Sequence, residues 1–224
     1  MNKKYIIEAS SIYKEYIDGD AVKVVLNNID YSQHYGSTCA IIGPSGSGKT
    51  TLLHALAGLD TISSGTTLLC GHDLKKIRQQ QLSQLHNKKI GFVYQKSHLL
   101  PDFNVLENIA MPLLIGGMKS KLAQKQAMQV LTEIKLEQYA YYYPHQLSGG
   151  TQQKAAIARA SVHKPDIIFA DEPTGNLDSV SKELVLNCLF DLNKHNSVAL
   201  CIVTHDQKVA ARADEIVDMS KINS

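Results

Sequence analysis

Residues 43–50 read Gly-Pro-Ser-Gly-Ser-Gly-Lys-Thr, between the apolar run Cys39-Ala40-Ile41-Ile42 and a helical pattern that opens at Lys49. Such a loop needs a strand to launch it and a helix N-terminus to close it, so it commits the chain to an α/β arrangement. Its glycines let backbone N–H groups turn inward on an anion, and the helix end adds partial positive charge. Lys49 is spaced to reach the β and γ oxygens of a nucleotide, and Thr50 to offer its hydroxyl to magnesium. The candidate nucleotide contacts are therefore Gly43, Pro44, Ser45, Gly46, Ser47, Gly48, Lys49, Thr50 and Thr51.

The remaining chain alternates strands and helices as that loop requires. Strand signals fall at about 22–29, 38–42, 90–94, 167–170, 200–204 and 215–219, several of them apolar on both faces like central strands of a covered sheet. Helical patterns occupy about 49–56, 119–134, 151–163 and 179–193, the last carrying Leu184, Leu186, Leu189 and Leu192. Between Tyr94 and Ile167 there are helix signals and no good strand. We expect an α/β fold with a mainly parallel sheet: a core from residues 1–94 and 165–224, and an inserted helical subdomain at about 95–164. With 224 residues, 44% of them apolar, one such unit buries a sizeable core.

Composition excludes several roles. The net charge of +2, from 23 basic and 21 acidic residues without a basic block, lacks the footprint of a nucleic-acid binder. Glu8 interrupts the N-terminal apolar stretch after three residues, so the start is not a secretory signal. No window approaches the roughly 18 apolar residues of a membrane span, so any membrane role is expected to come through another subunit. Cys39, Cys70, Cys188 and Cys201 form no CxxC pair and read as buried reduced thiols of a cytoplasmic protein.

Two further motifs carry chemistry. Ile167-Ile168-Phe169-Ala170 ends in Asp171-Glu172, which delivers two carboxylates to the carboxyl edge of the sheet, where ligands of such sheets bind. Asp171 suits a magnesium shell and Glu172 is placed to polarise an attacking water. Leu147-Ser148-Gly149-Gly150 opens a helix with a hydroxyl and glycine N–H groups, a second anion site of the same physical kind as the first. One phosphate loop holds one γ-phosphate, so this second site fits best as a cap on the nucleotide of a neighbouring copy.

With these motifs in this order, the chain resembles the ATP-binding cassette family over essentially its whole length. That resemblance implies the family's phosphate-loop ATPase fold with an N-terminal antiparallel β region, and two copies closing head to tail over two ATP molecules with Mg2+. It also implies roles for single residues. Gln95 is similar to the hinge glutamine that touches magnesium and water, His205 to the switch histidine that contacts the γ-phosphate, and Asp178 to the loop that crosses the dimer interface. Tyr16 looks like the aromatic that stacks on adenine, with Tyr13 three residues away as the alternative. The implied catalytic group is Glu172, His205, Gln95 and Lys49. The implied magnesium ligands are Thr50, Gln95 and Asp171, and the nucleotide contacts extend to Tyr16, Ser148, Gly149, Gly150 and Asp178.

Within the family, Gly91-Phe92-Val93-Tyr94-Gln95 followed by the segment 99–114 most closely resembles the ATPase subunits of bacterial lipoprotein-releasing systems. The implied setting is the cytoplasmic face of the inner membrane, held there by membrane permease subunits that alone contact the lipoprotein cargo. Related exporter or mechanotransmission ATPases are the alternative. A soluble cassette acting on DNA or ribosomes is a third reading, but the long coiled-coil insertion, zinc cysteines or second cassette normal there are missing. Two positions depart from the family pattern. Thr151 stands where Gln or Glu is common, and Lys154 where Arg is frequent, which keeps the charge but loses the planar fork of donors. We expect the ATP sandwich to survive and the closed dimer to be held less tightly. The tyrosines at 139, 141, 142 and 143 read as a loop surface, with partner contact as the alternative.

Overall fold

A computed structural model describes residues 4–19 and 21–223. Part of the N-terminal start, residues 1–3, lies outside the described residues. Two sheets form the frame. The antiparallel sheet has the order β2-β1-β4-β5, from β1 (Tyr5–Asp18), β2 (Ala21–His34), β4 (Ser64–Leu69) and β5 (His72–Asp73). The parallel sheet has the order β6-β7-β8-β3-β9, from β3 (Thr38–Ile42), β6 (Ile90–Val93), β7 (Ile167–Asp171), β8 (Ala199–Val203) and β9 (Glu215–Asp218).

The helices are α1 (Lys49–Ala57), α2 (Gln79–Lys89), α3 (Val105–Ile115), α4 (Ser120–Glu133), α5 (Gly149–Ser161), α6 (Ser179–Asn196), α7 (Gln207–Ala210) and α8 (Met219–Ile222). Between β6 and β7 the chain forms α3, α4 and α5 with two short 3-10 turns and no strand among the described residues.

The alternation of side chains along a strand explains why the parallel strands are apolar throughout. In β7, Ile167 and Phe169 join the core under the antiparallel sheet, with Ile6, Ile12, Leu26 and Ile29 and with Leu52 and Leu56 of α1. Ile168 and Ala170 join the opposite core, with Ile157 of α5 and Val185, Leu186 and Leu189 of α6. Each such side chain taken fully out of water contributes roughly 1.5–3 kcal/mol. A third cluster, including Val105, Ile109, Ala127, Leu131 and Ala155, lies among α3, α4 and α5.

The structure adjusts several sequence expectations. The strand expected at 22–29 extends to 21–34, and β1, β4 and β5 complete its sheet. In β1 the register shifts between Ala9 and Ile12 and again around Lys14, which breaks the period-two signal. β4 opens on Ser-Gly and reads as loop. In α6 the buried stripe is Val185, Leu186 and Leu189, while Leu184 is exposed.

Gly91 marks the closest approach of β6 to α5. A Cβ built there lies 2.4 Å from the Ala160 carbonyl oxygen and 3.0 Å from Ile168 Cγ1. Gly91→Ala is expected to force the two elements apart at a cost of about 1–3 kcal/mol, seen as a lower melting temperature in a thermal scan.

Candidate active site

The parallel order puts three strand ends side by side. β3 pairs with β8 and β8 with β7, so Ile41, Val203 and Asp171 share one row. Past that row the chain leaves β3 as the phosphate loop, β7 as Glu172 and β8 as Thr204-His205. Segments more than a hundred residues apart thereby meet at one carboxyl edge.

The loop is built to receive an anion. Gly48, the N-cap of α1, has φ 89°, and a Cβ there would lie 2.8 Å from the Val25 carbonyl oxygen, so only glycine fits. No side chain caps α1 and no acidic residue occupies its first turn, which leaves the unpaired N–H groups of the helix end open to a ligand. Lys49 Nζ donates to the carbonyls of Gly43 and Pro44 at 2.9 Å each, bridging the loop. Pro44, Ser45 and Gly46 are exposed at the loop tip, and the Ser47 hydroxyl is buried without a hydrogen-bond partner among the described residues while its N–H donates to the Pro44 carbonyl at 3.3 Å.

Beside the loop lies a cavity of about 320 Å3 lined by Gly46, Gly48, Lys49, Thr50, Thr51, Tyr16, Lys23 and Val25. Tyr16, not Tyr13, faces it; the Tyr13 hydroxyl bonds Glu15 instead. Two larger hollows, of about 480 and 580 Å3 and near the end of α4, contain none of the sequence-selected site residues.

Thr50 Oγ1 lies 3.1 and 3.2 Å from the two carboxylate oxygens of Asp171. A hydroxyl and a carboxylate converging at the loop mouth are hard oxygen donors, a set that fits a magnesium ion carrying its own waters and phosphate oxygens. Burial raises the Asp171 carboxyl above its ordinary 3.8, the Thr50 hydrogen bond offsets part of this, and Glu172 adds to the rise.

A raised folded-state value gives stability that is present at low pH and lost as pH rises through it. At neutral pH and without metal, Asp171→Asn is therefore expected to raise the melting temperature by about 1–2 °C, the gain for roughly 0.5 kcal/mol once solvent screening of this partly exposed carboxyl is taken into account. The gap should close as pH falls below the ordinary carboxylate value, in a series of thermal scans, and a variant less stable than the parent at neutral pH contradicts this account.

Glu172 Oε1 lies 2.8 Å from His205 Nδ1. With an ionised Glu172 this nitrogen carries the proton, which leaves Nε2 as the outward-facing partner for another group. Glu172 holds φ 45°, a left-handed backbone state rare for residues with a side chain. Its N–H donates to the Val203 carbonyl at 2.9 Å and its carbonyl accepts from Gly175 N–H at 3.0 Å, so that geometry is pinned on both sides.

Gln95 hydrogen-bonds Asn176 Oδ1 at 3.0 Å, which joins it to the segment after β7. The residues around it are tied to α5: Gln153 donates to the Tyr94 carbonyl at 2.6 Å, and Arg159 to those of His98 at 2.7 Å and Ser97 at 2.9 Å. Ser148 is the N-cap of α5, accepting from Thr151 N–H at 3.3 Å, with its hydroxyl 2.9 Å from the Thr151 hydroxyl. Gly149 and Gly150 form the first turn of α5, Gly149 facing Leu177 and Gly150 facing Ser181. None of Ser148, Gly149 or Gly150 lines the phosphate-loop cavity of its own chain. Asp178 caps α6 through Val180 and Ser181 N–H groups, and the Ser181 bonds hold its carboxyl below the usual range. Lys154 spends its charge on the Ile134 carbonyl at 3.2 Å, inside the helical region.

Sequence reasoning missed Lys23, Asn176 and Asn223. Asn223 donates to the carbonyls of Val25 at 2.7 Å and Ser47 at 3.1 Å and accepts from Asn27 N–H at 2.8 Å, which braces the loop from behind. No local pattern announces these three, although Lys23 could have been found by pairing it across the hairpin with Tyr16. Burial pushes the thiols of Cys39 and Cys188 up to about 11, and none of the four cysteines is joined in a disulfide. Among the described residues no group of three or more His, Cys, Asp or Glu side chains could hold a metal by itself.

The family described as ABC transporter matches residues 26–175. The lipoprotein-releasing system ATP-binding protein LolD of Legionella pneumophila strain Paris is 48% identical over 212 residues, covering 95% of this chain and 93% of that protein. Its counterpart from strain Lens is 47% identical over the same length and coverage. Among solved structures, the dimeric post-hydrolysis state of the ATP-binding cassette MJ0796 bound to ADP and Pi superposes with a TM-score of 0.86 at 35% identity, covering 95% of this chain and 93% of that one. A second dimeric structure of MJ0796, described as a bacterial ABC transporter cassette, gives 0.85 at 35% identity, covering 95% and 94%.

Proposed function

This chain belongs to the ABC transporter family, and from that premise we propose that it is the ATP-hydrolysing subunit of a complex that releases lipoproteins from the bacterial inner membrane. The observation that carries the reading is a divided site: the phosphate loop and the Ser148 to Gly150 turn sit on one chain, yet that turn does not line the loop's cavity. Two copies placed head to tail complete both sites, and the dimeric cassettes at TM-scores of 0.86 and 0.85 support this. The cargo assignment rests on the 48% and 47% identity to the Legionella lipoprotein-releasing proteins over 95% of the chain.

The chemistry then divides among named residues. Lys49 and the open N–H groups of α1 would hold the β and γ phosphates of ATP, and Thr50, Asp171 and Gln95 would hold magnesium, which when bound would supply positive charge against the phosphates. Glu172 accepts the proton of the attacking water, and His205 orients Glu172 through Nδ1 while offering Nε2 toward the γ-phosphate. Ser148 and Gly150 of one copy close over the nucleotide of the other, and Asp178 sits beside that seam.

Release of the closed state reaches the membrane partners through the segment around Gln95 and α5, joined by the hydrogen bonds of Gln153 to the Tyr94 carbonyl and of Arg159 to those of Ser97 and His98. Residues 1–94 and 165–224 act as the nucleotide-binding core and about 95–164 as the helical arm. Leu100, Phe103 and Leu114, apolar side chains exposed on the segment 99–114, offer the seat for a cytoplasmic helix of the permease. Among the described residues no helix is long and apolar enough to cross a membrane, and the likeness to the lipoprotein-releasing ATP-binding proteins supports a peripheral subunit on the cytoplasmic face.

Expression of Glu172→Gln in the native host tests the assignment. Outer-membrane lipoproteins should accumulate in the inner-membrane fraction of a density gradient; correct sorting, or failure to export a small molecule instead, sinks the lipoprotein reading. Thr151 offers a finer test. Its hydroxyl already engages that of Ser148, so Thr151→Gln should free the serine for phosphate and tighten the ATP-dependent dimer about fivefold in sedimentation, the worth of one hydrogen bond. Unchanged dimerisation removes the idea that Thr151 loosens the seam.

A further inference from the structure

Tyr16 is held by two charged groups that no nucleotide motif includes. Its hydroxyl donates to Asp60 Oδ2 at 2.8 Å, and Asp60 Oδ1 accepts from Lys14 Nζ at 2.8 Å. Lys14 Nζ also donates to the Thr61 carbonyl at 2.6 Å and lies 4.7 Å from the centroid of the Tyr16 ring. The Lys14 side chain is only 9% exposed and is absent from the cavity wall, whereas Tyr16 lines the cavity and is 44% exposed. The cation therefore lies on the protein side, and the ring keeps surface open to the cavity.

Asp60 adds a second connection. It follows α1, with its N–H directed to the His54 carbonyl at 3.3 Å, so it is anchored to the helix whose other end forms the phosphate loop. Burial works against the Asp60 carboxylate, but the hydrogen bonds from Lys14 and Tyr16 outweigh it and hold the carboxyl below its ordinary value.

We propose that Lys14 and Asp60 are a positioning pair that sets the Tyr16 ring as a fixed platform for a nucleobase and ties that platform to the phosphate-loop helix. The proposal rests on the reading that Tyr16 takes the base. A tyrosine free to rotate loses its rotamer freedom each time a ligand stacks on it; one held through its hydroxyl and against a cation has lost that freedom beforehand. The contribution of the pair is thus confined to ligands that carry a base.

The test is calorimetric binding to the full chain, comparing Mg-ATP with Mg-tripolyphosphate, which has the phosphates and no base. Asp60→Asn is expected to weaken ATP about tenfold, in line with the ordering cost of a large side chain, while tripolyphosphate changes by less than about twofold. In turnover assays the loss should fall on KM rather than kcat. Tyr16→Phe, which removes only the hydroxyl and keeps the Lys14–Asp60 ion pair, should show the same selective loss and guards against misfolding of the Asp60 variant. In a Tyr16→Ala background, Asp60→Asn should weaken ATP no further. Equal weakening of both ligands, additive effects of the Asp60 and Tyr16 changes, or an effect of Tyr16→Ala with none from Asp60→Asn and Tyr16→Phe overturns the pair while leaving the base platform standing. If Tyr16→Ala alone leaves ATP affinity intact, the platform reading itself falls and the pair with it.

Discussion

Glu172→Gln is expected to lower kcat for ATP hydrolysis by about 10²–10⁴-fold while leaving ATP binding in place, the range for loss of a positioned general base. The substitution is close to isosteric, and it keeps the backbone that holds the left-handed turn through Val203 and Gly175. It removes only the capacity to accept a proton, since an amide carbonyl does not take one at neutral pH. Lys49, Thr50 and the α1 N–H groups are untouched, so nucleotide still closes the dimer. ATP should therefore drive this variant into a long-lived dimer, visible by sedimentation, while product formation stalls. Turnover within tenfold of the parent chain, measured at saturating ATP, transfers the base role to another group, with His205 first in line from its 2.8 Å contact.

Lys49→Ala should fail differently. The ammonium bridges two carbonyls across the loop at 2.9 Å, which places a side-chain positive charge beside the open N–H groups of α1. Its removal takes away both a ground-state contact with phosphate and a donor aimed at charge that grows as the bond breaks. We expect kcat to drop about 10²–10³-fold, the usual cost of deleting such a donor, with weaker ATP binding as well. ATP-dependent dimers should be lost rather than trapped. The two variants thus separate the site's tasks, because both halt turnover but only Glu172→Gln accumulates the dimer. A Lys49→Ala chain that retains full turnover in the assembled complex overturns the site description.

Much of the site was legible because its chemistry is local. A phosphate loop is made by eight consecutive residues whose N–H groups and glycines do the binding, and Asp171-Glu172 needs only a buried strand to present it. The fold followed from the same features, since strands apolar on both faces can only be central. The antiparallel sheet was less legible. Register shifts in β1 scramble its alternation, and the Ser-Gly start of β4 looks like a turn until its partner strand is present.

Legible in the sequence were a nucleotide-binding loop, a carboxylate pair at a strand end that we read as serving metal and water, and a second helix-opening Ser-Gly-Gly turn that we read as serving a neighbour. Tertiary structure alone put Tyr16 rather than Tyr13 on the cavity wall, joined Glu172 to His205 and Gln95 to Asn176, and brought Lys14, Asp60 and Asn223 to the site's edges. The physical reason is range: backbone motifs act over a few residues and leave a sequence pattern, whereas side-chain hydrogen bonds between residues 33, 44, 81 or 176 positions apart are set by strand order and register.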